Sequence, residues 1–148
     1  MRNGIDLFIS FNWNDRHQTR DINQYLRRQG VVTFYAETDL TKGGSPSIYQ
    51  NAYEALGNSR CFLLTLGVRG IGNSQQIEID RAEVRHRAVK SDFTMFNLLL
   101  DGITAAELPS EVSKNKIFIY PTQRSSRQET SLEALSREIK IIGSVHEH

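Results

Sequence analysis

Five short runs of apolar residues, separated by segments with helical spacing, constrain the fold of this chain more than any other feature of its sequence. The runs cover residues 5–11, 31–35, 61–66, 93–100 and 116–120. They are rich in Ile, Val, Phe and Leu and barely alternate with polar residues, which is typical of strands buried on both faces of a parallel sheet. Such a sheet needs helices on both of its faces.

The segments between the runs repeat apolar residues as a helix with one buried face does. The first stripe is Ile22, Tyr25 and Leu26, and it ends at Gly30, a residue that favours a helix end. Further helices are predicted after Ser45-Pro46 with a stop at Gly57, from about Gln75 to Ala88, and behind a capping box of Thr130 and Glu133. The segment after Leu100 is too broken by Asp101-Gly102 and Pro109 to predict a helix.

Strands that alternate with helices predict right-handed crossovers and an α/β, flavodoxin-like, doubly wound sheet of five parallel strands in the order 2-1-3-4-5. In this order the winding reverses between strands 1 and 3, so we expect a ligand crevice at their carboxyl ends. The loops 12–16, 37–47 and 67–75 should reach it. A length of 148 residues fits one domain, which we place at 1–143, with a disordered tail at 144–148.

Composition limits the partners and cofactors that we expect. The 18 Lys and Arg residues balance 17 Asp and Glu residues, so electrostatics gives no general reason to expect binding to nucleic acid or to a membrane. A single Cys61 excludes an internal disulfide and a cysteine zinc cluster, and the four His residues lack metal-ligand spacing, so we predict no metal. No signal peptide or apolar run of roughly 18 residues is present, and we expect a cytoplasmic protein.

Glu78 falls at the start of the third long helix, beside the predicted crevice. An acidic residue there can simply complement the helix dipole, an effect of about 0.3 to 1 kcal/mol. A carboxylate at the mouth of an apolar crevice can also bind ribose hydroxyls or stabilise a developing oxocarbenium cation. The spacing alone leaves both explanations open.

Four segments follow one another along the chain in an order that is informative: Asp6-Leu-Phe-Ile-Ser-Phe11, Phe34-Tyr-Ala-Glu-Thr-Asp-Leu40 followed by Gly43-Gly44, Cys61-Phe-Leu-Leu-Thr-Leu66, and the loop that ends in Glu78. In this ordered set the chain resembles the TIR (Toll/interleukin-1 receptor) domain family, and its bacterial NAD-cleaving branch in particular. The resemblance implies that Glu78 is catalytic, that NAD+ is a substrate rather than a cofactor, and that the nicotinamide–ribose bond is hydrolysed or the product cyclised. It also implies self-association with other TIR domains and a role in bacterial antiphage immune signalling.

Two positions depart from the family pattern. Ser74 stands where the enzymatic members carry a tryptophan four residues before the glutamate, and Ala36 stands where many members carry Asp. Trp13 on a neighbouring loop can supply an aromatic surface instead. Glu37 and Asp39 are near enough in sequence to supply the carboxylate.

A set of residues around the crevice is predicted to contact NAD+. Aromatic and amide side chains directly after strand 1 suit nicotinamide and ribose, guanidinium groups such as those of Arg16 and Arg69 pair with phosphate, and Gly43 allows the second loop to rearrange. The predicted contacts are Phe11, Asn12, Trp13, Arg16, Tyr35, Asp39, Gly43 and Ser74. Core packing and a turn remain the alternative for residues 11–13, a solvated surface for Arg16, and a plain flexible turn for Gly43.

Two other functions remain open. The chain can be a noncatalytic TIR interaction module, which the missing tryptophan favours. It can also be an enzyme like the nucleoside deoxyribosyltransferases, which have a similar fold and a crevice glutamate. The basic residues Arg81, Arg85 and Arg87 on the third helix suit either a solvated face or an assembly surface.

Overall fold

The computed structural model describes residues 4–39, 52–89, 92–122 and 126–146. The five predicted apolar runs all form strands, which are β1 (Ile5–Ser10), β2 (Thr33–Tyr35), β3 (Ser59–Leu66), β4 (Thr94–Leu99) and β5 (Lys116–Ile119). They form one parallel sheet in the order β2-β1-β3-β4-β5, so the predicted fold and strand order are confirmed. The strand ends differ from the prediction by at most two residues.

In the described residues, five α-helices surround the sheet: α1 (Arg16–Arg28), α2 (Ala36–Asp39), α3 (Ala52–Gly57), α4 (Asn73–Val89) and α5 (Ser126–His146). The short α2 is absent from the sequence prediction. It forms because Asp39 Oδ2 folds back to accept a hydrogen bond of 2.7 Å from the backbone N–H of Tyr35. The predicted helix start at Ser45-Pro46 lies outside the described residues.

The last helix begins before its predicted capping box. It starts at Ser126, so the predicted capping box lies inside it, and Glu133 accepts a hydrogen bond of 2.9 Å from Arg137 one turn later. It continues to His146, past the predicted domain end at residue 143. Arg60 Nη1 donates to the backbone oxygen of Gly143 at 2.9 Å, which ties this end of α5 to β3.

Apolar side chains fill both faces of the sheet. Leu7 and Ile9 of β1 point to one face and pack with Ile22 and Leu26 of α1 and Leu135 of α5. On the opposite face, the ring of Phe8 stacks between those of Phe34 and Phe62, at 5.3 and 5.7 Å between centroids, and α3 and α4 cover them. Burial on both faces explains why the strands are continuously apolar.

The winding of the chain reverses between β1 and β3, which are neighbours in the sheet. From β1 the chain turns through α1 to β2 on one side, and β3 continues through α4 to β4 on the other. The loops after β1 and β3 therefore diverge and leave a crevice at the carboxyl ends of these strands. Within the described ranges, none of the helices has the length and hydrophobicity of a bilayer-spanning segment.

Candidate active site at the sheet switch point

A cavity of about 700 Å³ opens at this crevice. Four described parts of the chain line it: the loop after β1, the start of α2, the start of α3, and the start of α4 with the loop before it. The lining residues are 11–14, Ala36, Ala52, Tyr53, 71–75 and Glu78. Among these described residues, Glu78 is the only Asp, Glu, Lys, Arg or His.

Glu78 belongs to α4, and its carboxyl group contacts the end of β1. The hydroxyl of Ser10, the last residue of β1, donates a hydrogen bond of 2.7 Å to Glu78 Oε1. Burial raises the pKa of Glu78 to about 7, and the bond from Ser10 lowers it by a smaller amount. A carboxyl group with this pKa changes its charge near neutral pH, which suits a group that acts on a reacting substrate.

Gln75 fixes the first turn of α4, although it was not among the residues predicted to have a functional role. Its side-chain amide is 1% exposed and donates 2.7 and 3.2 Å hydrogen bonds to the backbone oxygens of Thr65 and Ser10. Its Oε1 accepts from the backbone N–H of Gly72 at 3.1 Å. A recognisable signal did exist, because Gln75 is the polar member of the stripe Gln75, Ile79 and Ala82 that α4 buries.

Asn12 joins the two loops that border the cavity. Its Nδ2 donates to the backbone oxygen of Gly70 at 3.1 Å, and its Oδ1 accepts from the N–H of Asn14 at 2.9 Å. Asn12 is 8% exposed and starts the 3-10 turn Trp13–Asp15. It therefore lines the cavity, as predicted, but its amide is occupied in holding the loops.

Aromatic side chains form part of the cavity wall. Trp13 is 47% exposed, and the guanidinium of Arg16 lies 5.0 Å from the centroid of its ring. Tyr53, which the sequence analysis did not select, is 40% exposed and has Arg81 at 4.0 Å from its ring. Ser74 also lines the cavity and is exposed there, so at the family's tryptophan position the wall is open and polar.

Tyr35 and Asp39, predicted to contact NAD+, do not line the cavity. Tyr35 is fully buried, its ring stacks on Phe11 at 4.5 Å, and its hydroxyl lies 2.8 Å from Thr19 Oγ1. Burial raises the pKa of Tyr35 to about 12. Asp39 pairs with Arg27 at 2.5 Å. Both side chains stabilise the region around β2 instead.

The other predicted positions fall around the rim or outside the described residues. Arg16 donates a bond of 3.2 Å to the backbone oxygen of Trp13 and does not belong to the described residues that line the cavity. Glu37 pairs with Arg20 at 2.5 Å, and that guanidinium lowers the pKa of Glu37. Phe11 lines the cavity, as predicted. Gly43 lies outside the described residues.

An acidic pair lies beside the cavity, at the ends of β1 and β4. Asp15 has no exposed side-chain surface, and Arg69 approaches its Oδ1 at 3.4 Å. Burial and, to a smaller extent, the nearby Asp101 carboxylate raise the pKa of Asp15, whereas Arg69 lowers it. Arg69, which suited a phosphate contact in the sequence, therefore pairs with a buried carboxylate.

Metal-ligand clusters and reactive thiols are not found in the described part of the chain. No group of three or more His, Cys, Asp or Glu side chains there is arranged to hold a metal ion. Cys61 is buried in β3, and its burial raises the pKa of the thiol to about 12, which suits a core residue.

The doubly wound parallel sheet and the cavity at its switch point define an α/β protein of the flavodoxin-like class. The family model of the TIR domain matches residues 7–135, so the chain belongs to the TIR domain family. The family that the sequence predicted is thereby confirmed. Comparison with curated proteins found no match.

Solved structures support the same fold. The chain is similar to a metazoan TIR-STING receptor from C. gigas in complex with 2′,3′-cGAMP, with a TM-score of 0.66 and 18% identity over 89% of this chain. A further structure of that receptor matches with a TM-score of 0.56 and 19% identity over 89% of this chain. The chain spans 39% and 40% of the length of these receptor chains.

Proposed function

We propose that this TIR domain cleaves the bond between nicotinamide and ribose in NAD+, with Glu78 as the catalytic residue. The observation that carries the proposal is the partly buried Glu78 carboxyl group, bound to Ser10 and lining a cavity of about 700 Å³ with no other charged residue on its described wall. A lone carboxylate in such a setting favours a transition state that develops positive charge.

The chemistry needs few protein groups. Nicotinamide in NAD+ carries a positive charge, and when its bond to C1′ breaks it takes both bonding electrons and leaves as a neutral base. No general acid is therefore required, unlike in glycosidases that act on poor leaving groups. The ionised Glu78 stabilises the resulting oxocarbenium cation and binds the ribose hydroxyls.

The second half of the reaction determines the product. When water attacks C1′, it loses one proton and the product is ADP-ribose. When a nitrogen of the substrate's own adenine attacks, the product is cyclic. In this proposal Glu78 accepts the proton from water, a role that its pKa of about 7 supports because the group can hold or release a proton near neutral pH.

The decisive experiment is to incubate the concentrated protein with NAD+ and to resolve nicotinamide, ADP-ribose and cyclic products by chromatography. Glu78→Gln should lose most of the turnover while keeping the fold, because the amide cannot carry the negative charge. Glu83→Gln is the matched control, since it removes a carboxylate from the same helix outside the cavity wall. Equal turnover in the Glu78→Gln variant and the wild type would remove the mechanism.

Self-association belongs to the proposal, as a property that TIR domains share. We propose that assembly of copies of this chain activates cleavage, in bacterial antiphage signalling. Turnover per protein should then rise steeply with protein concentration, and the Glu78→Gln variant should fail to protect cells in a plaque assay. Assembly without any consumption of NAD+ would indicate the noncatalytic interaction module. Cleavage of nucleosides but not of NAD+ would indicate a deoxyribosyltransferase-like enzyme.

A further inference from the structure

The side chain of Gln75 has all of its hydrogen-bonding groups engaged in a buried site. Its two donated bonds reach the backbone of two neighbouring strands, at Ser10 of β1 and Thr65 of β3. Its Oε1 binds the N–H of Gly72, in the loop that leads into α4. A buried amide with three partners resists rotation, because any turn of the side chain leaves a polar group without a partner.

Ser10 contacts α4 at two points, one helical turn apart. Its backbone oxygen accepts the bond from Gln75, and its hydroxyl donates to Glu78. Residues three apart lie on the same face of a helix, so the two bonds fix both the rotation and the position of α4 against β1. Thr65 Oγ1 also donates to the Ser10 backbone oxygen, at 2.9 Å, and holds this anchor in place.

We infer that Gln75 is a positioning residue, which holds the Glu78 carboxyl group against the Ser10 hydroxyl and at the cavity wall. The inference rests on the proposed function for its catalytic consequence. Its geometric part, the coupling of Gln75 to Glu78 through Ser10, has a test that needs no catalysis.

Removal of the amide should act on the reaction step more than on binding. Without its anchor, the first turn of α4 can shift, and a misplacement of about 1 Å can reduce a rate by about a hundredfold. The aromatic wall of Trp13 and Tyr53 is left in place, so the affinity for substrate should change little. The bond from Ser10 lowers the pKa of Glu78, so its weakening should raise that pKa.

The first test compares Gln75→Met, which keeps the length but loses the amide, with Gln76→Met. Gln76 is the matched control, because its amide binds Asp80 at 3.0 Å on the exposed side of the same helix. In Gln75→Met, kcat should fall between about tenfold and a hundredfold while KM stays within about twofold, and the midpoint of the pH profile should move up. Gln76→Met should match the wild type in kcat, in KM and in the midpoint of the pH profile. A folded Gln75→Met variant with wild-type kcat and pH profile overturns the inference.

Gln75→Met leaves a buried backbone oxygen of Thr65 without its donor and can fail to fold, so two further measurements are included. Gln75→Asn keeps an amide of shorter reach and should show a smaller fall in kcat. In the wild type, the 15N chemical shift of the Gln75 side-chain amide should change with pH, and the midpoint of this change should equal the pKa of Glu78. The change should vanish in Glu78→Gln. An amide signal of Gln75 that does not follow Glu78 overturns the inference, whether or not the protein cleaves NAD+.

Discussion

The hydroxyl of Ser10 donates a hydrogen bond of 2.7 Å to Glu78 Oε1 and so joins two residues that lie 68 positions apart in the chain. Two physical effects act on Glu78 in opposite directions. Burial favours the neutral carboxylic acid, and the hydrogen bond from Ser10 favours the carboxylate. Burial is the larger effect, and the pKa of Glu78 settles at about 7.

The first prediction concerns the pH dependence of NAD+ cleavage. If ionised Glu78 stabilises the transition state, kcat/KM, which reports the pKa of the free enzyme, should rise with pH through a midpoint near 7. Ser10→Ala removes the bond that favours the carboxylate, so its midpoint should lie higher, and at pH 6.5 its kcat/KM should fall further below the wild type than at pH 8.5. Steady-state kinetics between pH 5 and 9 measures both profiles. Thr19→Ala, which removes a buried hydroxyl beside Tyr35 and outside the cavity wall, is the control. A Ser10→Ala midpoint at or below that of the wild type would show that the hydrogen bond from Ser10 does not lower the pKa of Glu78.

The second prediction concerns stability, which needs no catalytic assay. The pKa of Glu78 is raised from 4.5 in the unfolded chain to about 7 in the folded protein. Between these values the folded state binds more protons than the unfolded state, so Glu78 makes the protein less stable as the pH rises from 4.5 through 7.

Glu78→Gln cannot ionise and escapes this loss. Its melting temperature should therefore exceed that of the wild type at pH 8, and the difference should shrink towards pH 4.5. Glu83→Gln should not show this pH-dependent gain. Thermal unfolding at several pH values measures the effect. A Glu78→Gln variant that is less stable than the wild type at pH 8 would show that the ionised carboxylate is well accommodated.

The third prediction concerns the aromatic wall. Trp13 is exposed on the cavity, where its ring can stack on a planar base, and Ser74 leaves the neighbouring wall without an aromatic ring. Trp13→Ala should raise KM for NAD+ by about fivefold to 150-fold, because stacking of a base on an aromatic ring contributes about 1 to 3 kcal/mol. Trp13→Phe keeps a ring and should restore most of the affinity. Similar KM values for the Ala and Phe variants would assign substrate stacking elsewhere, with Tyr53 the next residue to test.

The sheet and its strand order follow from local sequence, whereas parts of the site do not. Leu7 and Phe8 are both buried although they point to opposite faces, and this double burial produces the continuous apolar run that predicts a central strand. Glu78 was predicted to lie at the crevice because a helix start at the switch point can be predicted from spacing, and it lines the cavity there. The stripe on α4 marks Gln75 as a buried polar residue, but the bonds that join Gln75 and Glu78 to Ser10 span 65 and 68 residues, and no local pattern reports them.

Tyr35 shows the opposite error. It ends a strand next to β1, so its position in sequence suits a ligand contact. In the structure, the ring of Phe11 stacks on it, and Thr19 binds its hydroxyl, so the side chain is enclosed by the protein. Which of two aromatic neighbours covers the other depends on side-chain packing, which the sequence does not specify.

The last prediction concerns the close approach of backbone and carboxylate at Gly67. A Cβ atom added to Gly67 would lie 2.4 Å from Asp101 Oδ2 and 3.3 Å from Asp15 Oδ2. Asp101 cannot retreat cheaply, because Gln18 binds its Oδ1 at 2.8 Å and the N–H of Val68 binds its Oδ2 at 3.1 Å. Gly67→Ala should therefore lower the free energy of unfolding by about 1 to 3 kcal/mol, the range for overpacking.

Urea denaturation measures this loss, and Gly57→Ala is the matched control. A Cβ at Gly57 meets no atom within 4 Å, so that substitution should leave the unfolding midpoint near or slightly above the wild-type value. The double variant Gly67→Ala with Asp101→Gly should regain part of the loss, because it removes the clashing carboxylate and because glycine adopts the φ of 57° at position 101 without strain. If the second substitution gave no recovery, the clash would involve Asp15 or the backbone rather than Asp101.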